Sequence, residues 1–126
     1  MAIRTKTLMI KIVETFNEFL STFYEDAIAT SSLYCVINNP VVSSLCDQGS
    51  DLVAFYVDIY NDDKSSDATE QLEDICEKLR NELNGEIIKD NNFGGHLNFE
   101  KQFSVQEAEF DINHRRQEWT ARIFYV

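Results

Sequence analysis

Apolar residues recur along this chain with two different periods, and the changes between them outline its elements. From about 5 to 25, Leu8, Met9, Ile12, Val13, Phe16, Phe19, Leu20 and Phe23 fall at helical offsets. Lys6, Lys11, Glu14, Asn17, Glu18 and Ser21 lie mostly on the other side, which predicts one amphipathic helix over the whole stretch. Ser31 to Ile37 is short, β-branched and aromatic and predicts a strand, stopped by Asn38-Asn39-Pro40. Residues 38–51 hold the only proline, a serine pair and Gly49, and read as a loop anchored through Val41, Val42 or Leu45.

Leu52 to Tyr60 alternates strictly. Val53, Phe55, Val57 and Ile59 share a face that should meet the core. Leu52, Ala54, Tyr56, Asp58 and Tyr60 share the other, which meets solvent or a neighbouring subunit. An acidic turn leads into a second helix, on which Ala68, Leu72, Ile75, Cys76, Leu79 and Leu83 form one narrow stripe. Ser66 or Asp67 is expected to cap it, Glu70, Glu73 and Asp74 suit its positive end, and Gly85 ends it.

Ile87-Ile88 starts another strand. Asn91 to His96, with Gly94 and Gly95, reads as a flexible excursion. Phe99–Val105, Ala108–Ile112 and Glu118–Val126 alternate as strands, and Asn113 to Gln117 turns between the last two as a hairpin tip. The pattern is that of a single α+β domain over residues 1–126. Its sheet is expected to be mainly antiparallel, of about four to five strands, with two helices packed on one face. The opposite face stays open and carries Tyr34, Tyr56 and Tyr60 as a contact surface.

The formal net charge is −11, with 22 acids against 11 bases. That disfavours gripping duplex DNA, which needs Lys and Arg on the phosphates, and favours a basic partner or a surface that repels nucleic acid. Cys35, Cys46 and Cys76 are an odd number without C-x-x-C spacing, so neither a disulfide framework nor a zinc site is expected, and they read as small core residues. No secretory signal and no membrane-length apolar run stand out, so an intracellular chain with no membrane partner is expected.

Little chemistry emerges. His96 beside two glycines and His114 in the predicted turn lack metal-ligand or nucleophile partners in sequence and read as solvated. Asp58, Asp62, Asp63 and Asp67 resemble a calcium loop only loosely, since no glycine occupies the turn. Gly94-Gly95 lacks the lysine and helix of a phosphate loop. No catalytic, cofactor or metal residues are assigned, and the chain is not expected to be an enzyme. Arg115-Arg116 and Arg122 are the only basic concentration late in the chain. They read as a polar hairpin tip, or as ion-pair donors to a neighbouring copy. The candidate interface is therefore Tyr34, Tyr56, Tyr60, Arg115, Arg116 and Arg122, and reversing Arg115 and Arg116 to Glu is expected to leave the subunit folded but to impair assembly.

The order of elements resembles the tail terminator (tail completion, or tail-to-head joining) proteins of long-tailed bacteriophages. The matching pieces are the N-terminal amphipathic helix, the strand Val53-Ala-Phe-Tyr-Val-Asp-Ile-Tyr60, the helix Ala68–Leu83 and the closing strand Trp119-Thr-Ala-Arg-Ile-Phe-Tyr-Val126. The resemblance implies a homo-hexameric ring that caps the tail tube, stops its growth and joins it to the head. Its implied partners are itself, the major tail tube protein and a neck or connector protein, with DNA only as passing cargo and no cofactor. Its implied place is the virion, at the head–tail interface, after assembly in the host cytoplasm. The segments 38–51 and 90–97 are its docking loops in this reading.

Two rivals stand beside it. One is a nucleic-acid mimic that inhibits a host nuclease, with Asp51, Asp58, Asp62, Asp63, Asp67, Glu70, Glu73, Asp74 and Glu77 imitating phosphates. The other is a small enzyme or ligand-binding domain of similar fold.

Overall fold

The computed structural model describes residues 5–25, 32–44, 50–63, 66–105 and 113–125. Helix α1 (Thr5–Asn17) is followed by strands β1 (Ser21–Tyr24), β2 (Leu33–Ser44) and β3 (Ser50–Asn61), helix α2 (Ala68–Leu83), and strands β4 (Ile87–Lys89), β5 (Phe93–Val105) and β6 (Asn113–Tyr125). Among the described residues the strands form one six-stranded sheet in the order β1-β2-β3-β6-β5-β4. The α+β class holds, but the sheet is larger than expected and mixed, because β1 runs parallel to β2 while the other pairings are antiparallel.

The first helix is shorter than its apolar pattern. The N–H groups of Phe19 and Leu20 both turn back to the Phe16 carbonyl, and Asn17 Oδ1 accepts from the Thr22 N–H at 3.1 Å. That side chain gives a backbone N–H of the next segment its partner, and the β-branched and aromatic Ser21-Thr-Phe-Tyr24 leaves as an edge strand.

Pro40 does not stop β2. The register shifts between Asn38 and Val41, and the proline falls within that irregularity, where no ladder N–H is required. Pairing then continues to Ser44 opposite Asp51, so most of the expected 38–51 loop is a long hairpin; residues 45–49, with Leu45, Cys46 and Gly49, lie outside the described residues.

The glycine-rich stretch is also strand. Asp90 Oδ1 accepts from the N–H of Asn92 and of Phe93, which compresses the turn to a few residues and starts β5 at Phe93. A Cβ on Gly95 would run into the Arg122 carbonyl and lie 2.8 Å from Ile123 Cδ1, so this glycine serves close approach of strands. Asn113 to Gln117 belongs to β6 and forms no turn; the expected strand Ala108–Ile112 lies outside the described residues.

Helix α2 has the expected bounds, with Ala68, Leu72, Cys76, Leu79 and Leu83 buried. Asp67 stands at the N-cap without a side-chain cap bond. Asn61 Nδ2 donates to the Ala68 carbonyl at 2.9 Å, which ties the end of β3 to the first turn of the helix. The helix ends at Leu83 with Asn84 as its C-cap; Gly85 follows with a φ of 86°, in the left-handed region, and its N–H donates to the Leu97 carbonyl.

Both helices pack on the face that carries Val53, Phe55, Val57 and Ile59. Phe16 meets Phe55 and Trp119 edge-on, with centroids 6.4 and 5.5 Å away, and Phe99 meets the same indole at 5.5 Å. One buried amide ties helix to sheet. Gln117 Nε2 donates to the Cys76 carbonyl of α2 and to Gln102 Oε1 of β5, while Gln117 Oε1 accepts from Trp119 Nε1.

Candidate functional site

Since Val53, Phe55, Val57 and Ile59 face the helices, their alternates on β3 face away. The register places Tyr34, Tyr60 and His114 in one row across β2, β3 and β6, and Asp58 and Arg116 in the next. Their rings stack: Tyr34 on Tyr60 at 5.2 Å and Tyr60 on His114 at 4.1 Å, with Phe23 edge-on to Tyr34.

Asp58 sits at the centre of this face and is 1% exposed. Its Oδ1 accepts from His114 Nε2 and from Arg116 Nε, each at 2.7 Å. Its Oδ2 accepts from Asn38 Nδ2 at 2.7 Å and from Arg116 Nη2 at 3.1 Å. The Arg116 guanidinium lies over the Tyr56 ring at 4.8 Å. Burial pushes the Asp58 carboxyl upward. The bonds from His114, Arg116 and Asn38 and the charge of Arg116 outweigh it and hold Asp58 down at about 2. Its hydrogen bonds to Asp58 raise Arg116 above its ordinary value, against the opposing effect of burial. A carboxylate with both oxygens engaged by four donor contacts is suited to locking strands, and here it clamps β2, β3 and β6 together.

Three sequence expectations change. His114 is a buried strand residue and not a solvated turn histidine. Arg115 and Arg116 do not share a tip. They point to opposite faces, Arg116 to Asp58 and Arg115 to the helix side, where its Nε donates to Glu73 Oε1 at 2.6 Å. Of the six candidate interface residues, Tyr34, Tyr56, Tyr60, Arg116 and Arg122 therefore lie on the face that is helix-free among the described residues, and Arg115 does not. Arg122 stacks over the ring of Phe124 at 5.3 Å. The mimic surface also loses members, because Asp51 and Asp58 are buried and Glu73 is paired within the chain.

Among the described residues, five of the seven large apolar side chains left exposed lie towards the two margins of the sheet, the others being Ile10 on α1 and Phe124 on β6. Tyr24 on β1 and Val41 and Val42 on β2 mark one margin; Ile87 on β4 and Phe103 on β5 mark the other. No periodicity argument could find these, because the margin of a sheet depends on strand order.

Among the described residues no group of three or more His, Cys, Asp or Glu is placed to hold a metal ion, and no helix is long and apolar enough to cross a membrane. His96 is half-buried on β5, opposite Arg122.

This architecture is shared with a solved virion chain. The protein is similar to a chain of the structure described as "Virion of native gene transfer agent (GTA) particle", with a TM-score of 0.66, 10% identity, and coverage of 90% of this chain and 84% of that one. At that identity the likeness is one of fold. No family model matches the chain, and no curated protein matches it.

Proposed function

We propose that this protein is a structural component of a virion, and that its role is that of a tail terminator: a ring on the end of a tail tube that stops growth, joins the tube to the head and lets DNA pass. The observation that carries this reading is the fold likeness to a virion chain over nearly the whole of both chains. The element order that resembles tail terminators points the same way, as do exposed apolar side chains at both sheet margins, which suit contacts between copies. A net charge of −11 suits a conduit wall that does not hold passing DNA, because like charges repel.

The test is tube-length control. The purified chain, added to polymerising tail tube protein from the same virion, should give tubes of bounded length carrying a ring at one end in negative stain. Tubes that grow to the same length distribution with and without the chain, and carry no added density, would overturn the proposal.

A further inference from the structure

We propose that copies of this chain join edge to edge, the outer half of β2 in one copy pairing with the outer half of β5 in the next. This inference rests on the ring reading above and names the surface that would build it. Strand β1 covers β2 only at Tyr34 to Ile37, and β4 covers β5 only at Gly94 to His96, with the 85–86 backbone bonding Leu97. Among the described residues, the outer sides of 41–44 on β2 and 101–105 on β5 pair with no strand.

Three features fit these two margins to each other. The first is direction. Strand β2 runs against β3, β3 against β6 and β6 against β5, so β2 and β5 point opposite ways. A rotation that carries one copy to the next around a ring keeps that relation, and the new pair is antiparallel like its neighbours.

The second is position. The free half of β2 lies beside Asp51 to Ala54, at one end of β3, while the free half of β5 lies across β6 from Tyr56 to Tyr60, at the other end. Joining them offsets each copy along the strands, which is the stagger a sheet needs to close on itself. The short strands β1 and β4 then act as steps that set the offset.

The third is chemistry. Val41 is 59% exposed and Phe103 40% exposed, and both lie on the helix-free face, opposite Ala54 and Arg116 respectively. A β-branched residue beside an aromatic one is a favourable cross-strand pair. Head-to-tail pairing of two unlike margins leaves no free edge once the ring closes.

The experiment is cross-linking of the full chain, alone at high concentration and on tubes, in a Cys46→Ser background. With Val41→Cys and Phe103→Cys together, mild oxidation should give a ladder of covalent oligomers on a non-reducing gel, whereas either substitution alone should not go beyond dimers. Separately, Phe103→Asp should abolish assembly by light scattering while leaving the circular dichroism spectrum unchanged, and adding Val41→Lys should restore it. Assembly without the ladder and unaffected by Phe103→Asp would overturn edge pairing while leaving the ring intact. No assembly of the unmodified chain, alone or on tubes, would overturn both.

Discussion

His114 Nε2 lies 2.7 Å from Asp58 Oδ1, and both side chains are buried on the face turned away from α1 and α2. The carboxylate accepts, so the imidazole donates. Removing the acceptor strands a histidine and an arginine that were arranged around it. Asp58→Ala is expected to destabilise the subunit by about 3–5 kcal/mol, with a lower urea midpoint and an unchanged slope.

Acid should act through the same carboxylate. The Asp58 carboxyl is held at about 2, below its ordinary 3.8. A lowered value means that the folded state prefers the charged form. The stabilisation is complete above 3.8 and is lost as pH falls through the window down to about 2. It is worth roughly 2 kcal/mol. Asp58→Asn should therefore flatten the stability-versus-pH curve in that window, as measured by urea unfolding; an equally steep curve in the variant would assign the acid response elsewhere.

Reversing Arg115 and Arg116 to Glu now has a different expected outcome from the one the sequence suggests. The Glu at 116 would face the buried Asp58 carboxylate, and the Glu at 115 would face Glu73. The double variant should lose on the order of 3 kcal/mol or more and melt well below the parent, because like charges replace a buried pair. Unchanged melting would mean that Asp58 is not locked by Arg116.

Truncating the centre of the aromatic cluster is expected to be costly. Phe16→Ala removes the ring that touches both Phe55 and Trp119, and should cost about 3–5 kcal/mol. Trp119 is the chain's one tryptophan and is 0% exposed, so the native emission should be blue-shifted and resist iodide quenching.

The two described thiols should be inert. Burial pushes Cys35 and Cys76 each up to about 12, so neither forms thiolate at neutral pH. In a Cys46→Ser variant, a thiol reagent at pH 8 should label the native protein only as fast as it unfolds; prompt labelling would show a more open core.

Much of the helix-facing half of the molecule was legible in the sequence. The stripe from Ala68 to Leu83 and the alternation of Val53, Phe55, Val57 and Ile59 each follow from a single local period, and each packs as that period requires. The misreadings share a cause: the deciding partner is remote in the chain. Asn113-His-Arg-Arg-Gln117 is wholly polar and looks like a turn. It is a strand because Asp58 takes His114 and Arg116, Glu73 takes Arg115, and the Cys76 carbonyl takes Gln117. Phe19 and Phe23 fit the helical stripe of α1, but Asn17 ends the helix and β2 offers Ser21 to Tyr24 a pairing partner. The clamp around Asp58 was invisible for the same reason, since Asn38, Asp58 and Arg116 approach one another only after the strand order is set.

The sheet order carries a consequence for biosynthesis. Strand β6 lies between β3 and β5, yet it leaves the ribosome after every other described strand. Until Asn113 to Tyr125 emerges, nothing can link β3 to β5, and Phe16 and Phe55 lack the indole they pack around. The sheet cannot be completed from the amino end alone, because a central strand is the last of the described strands to be made.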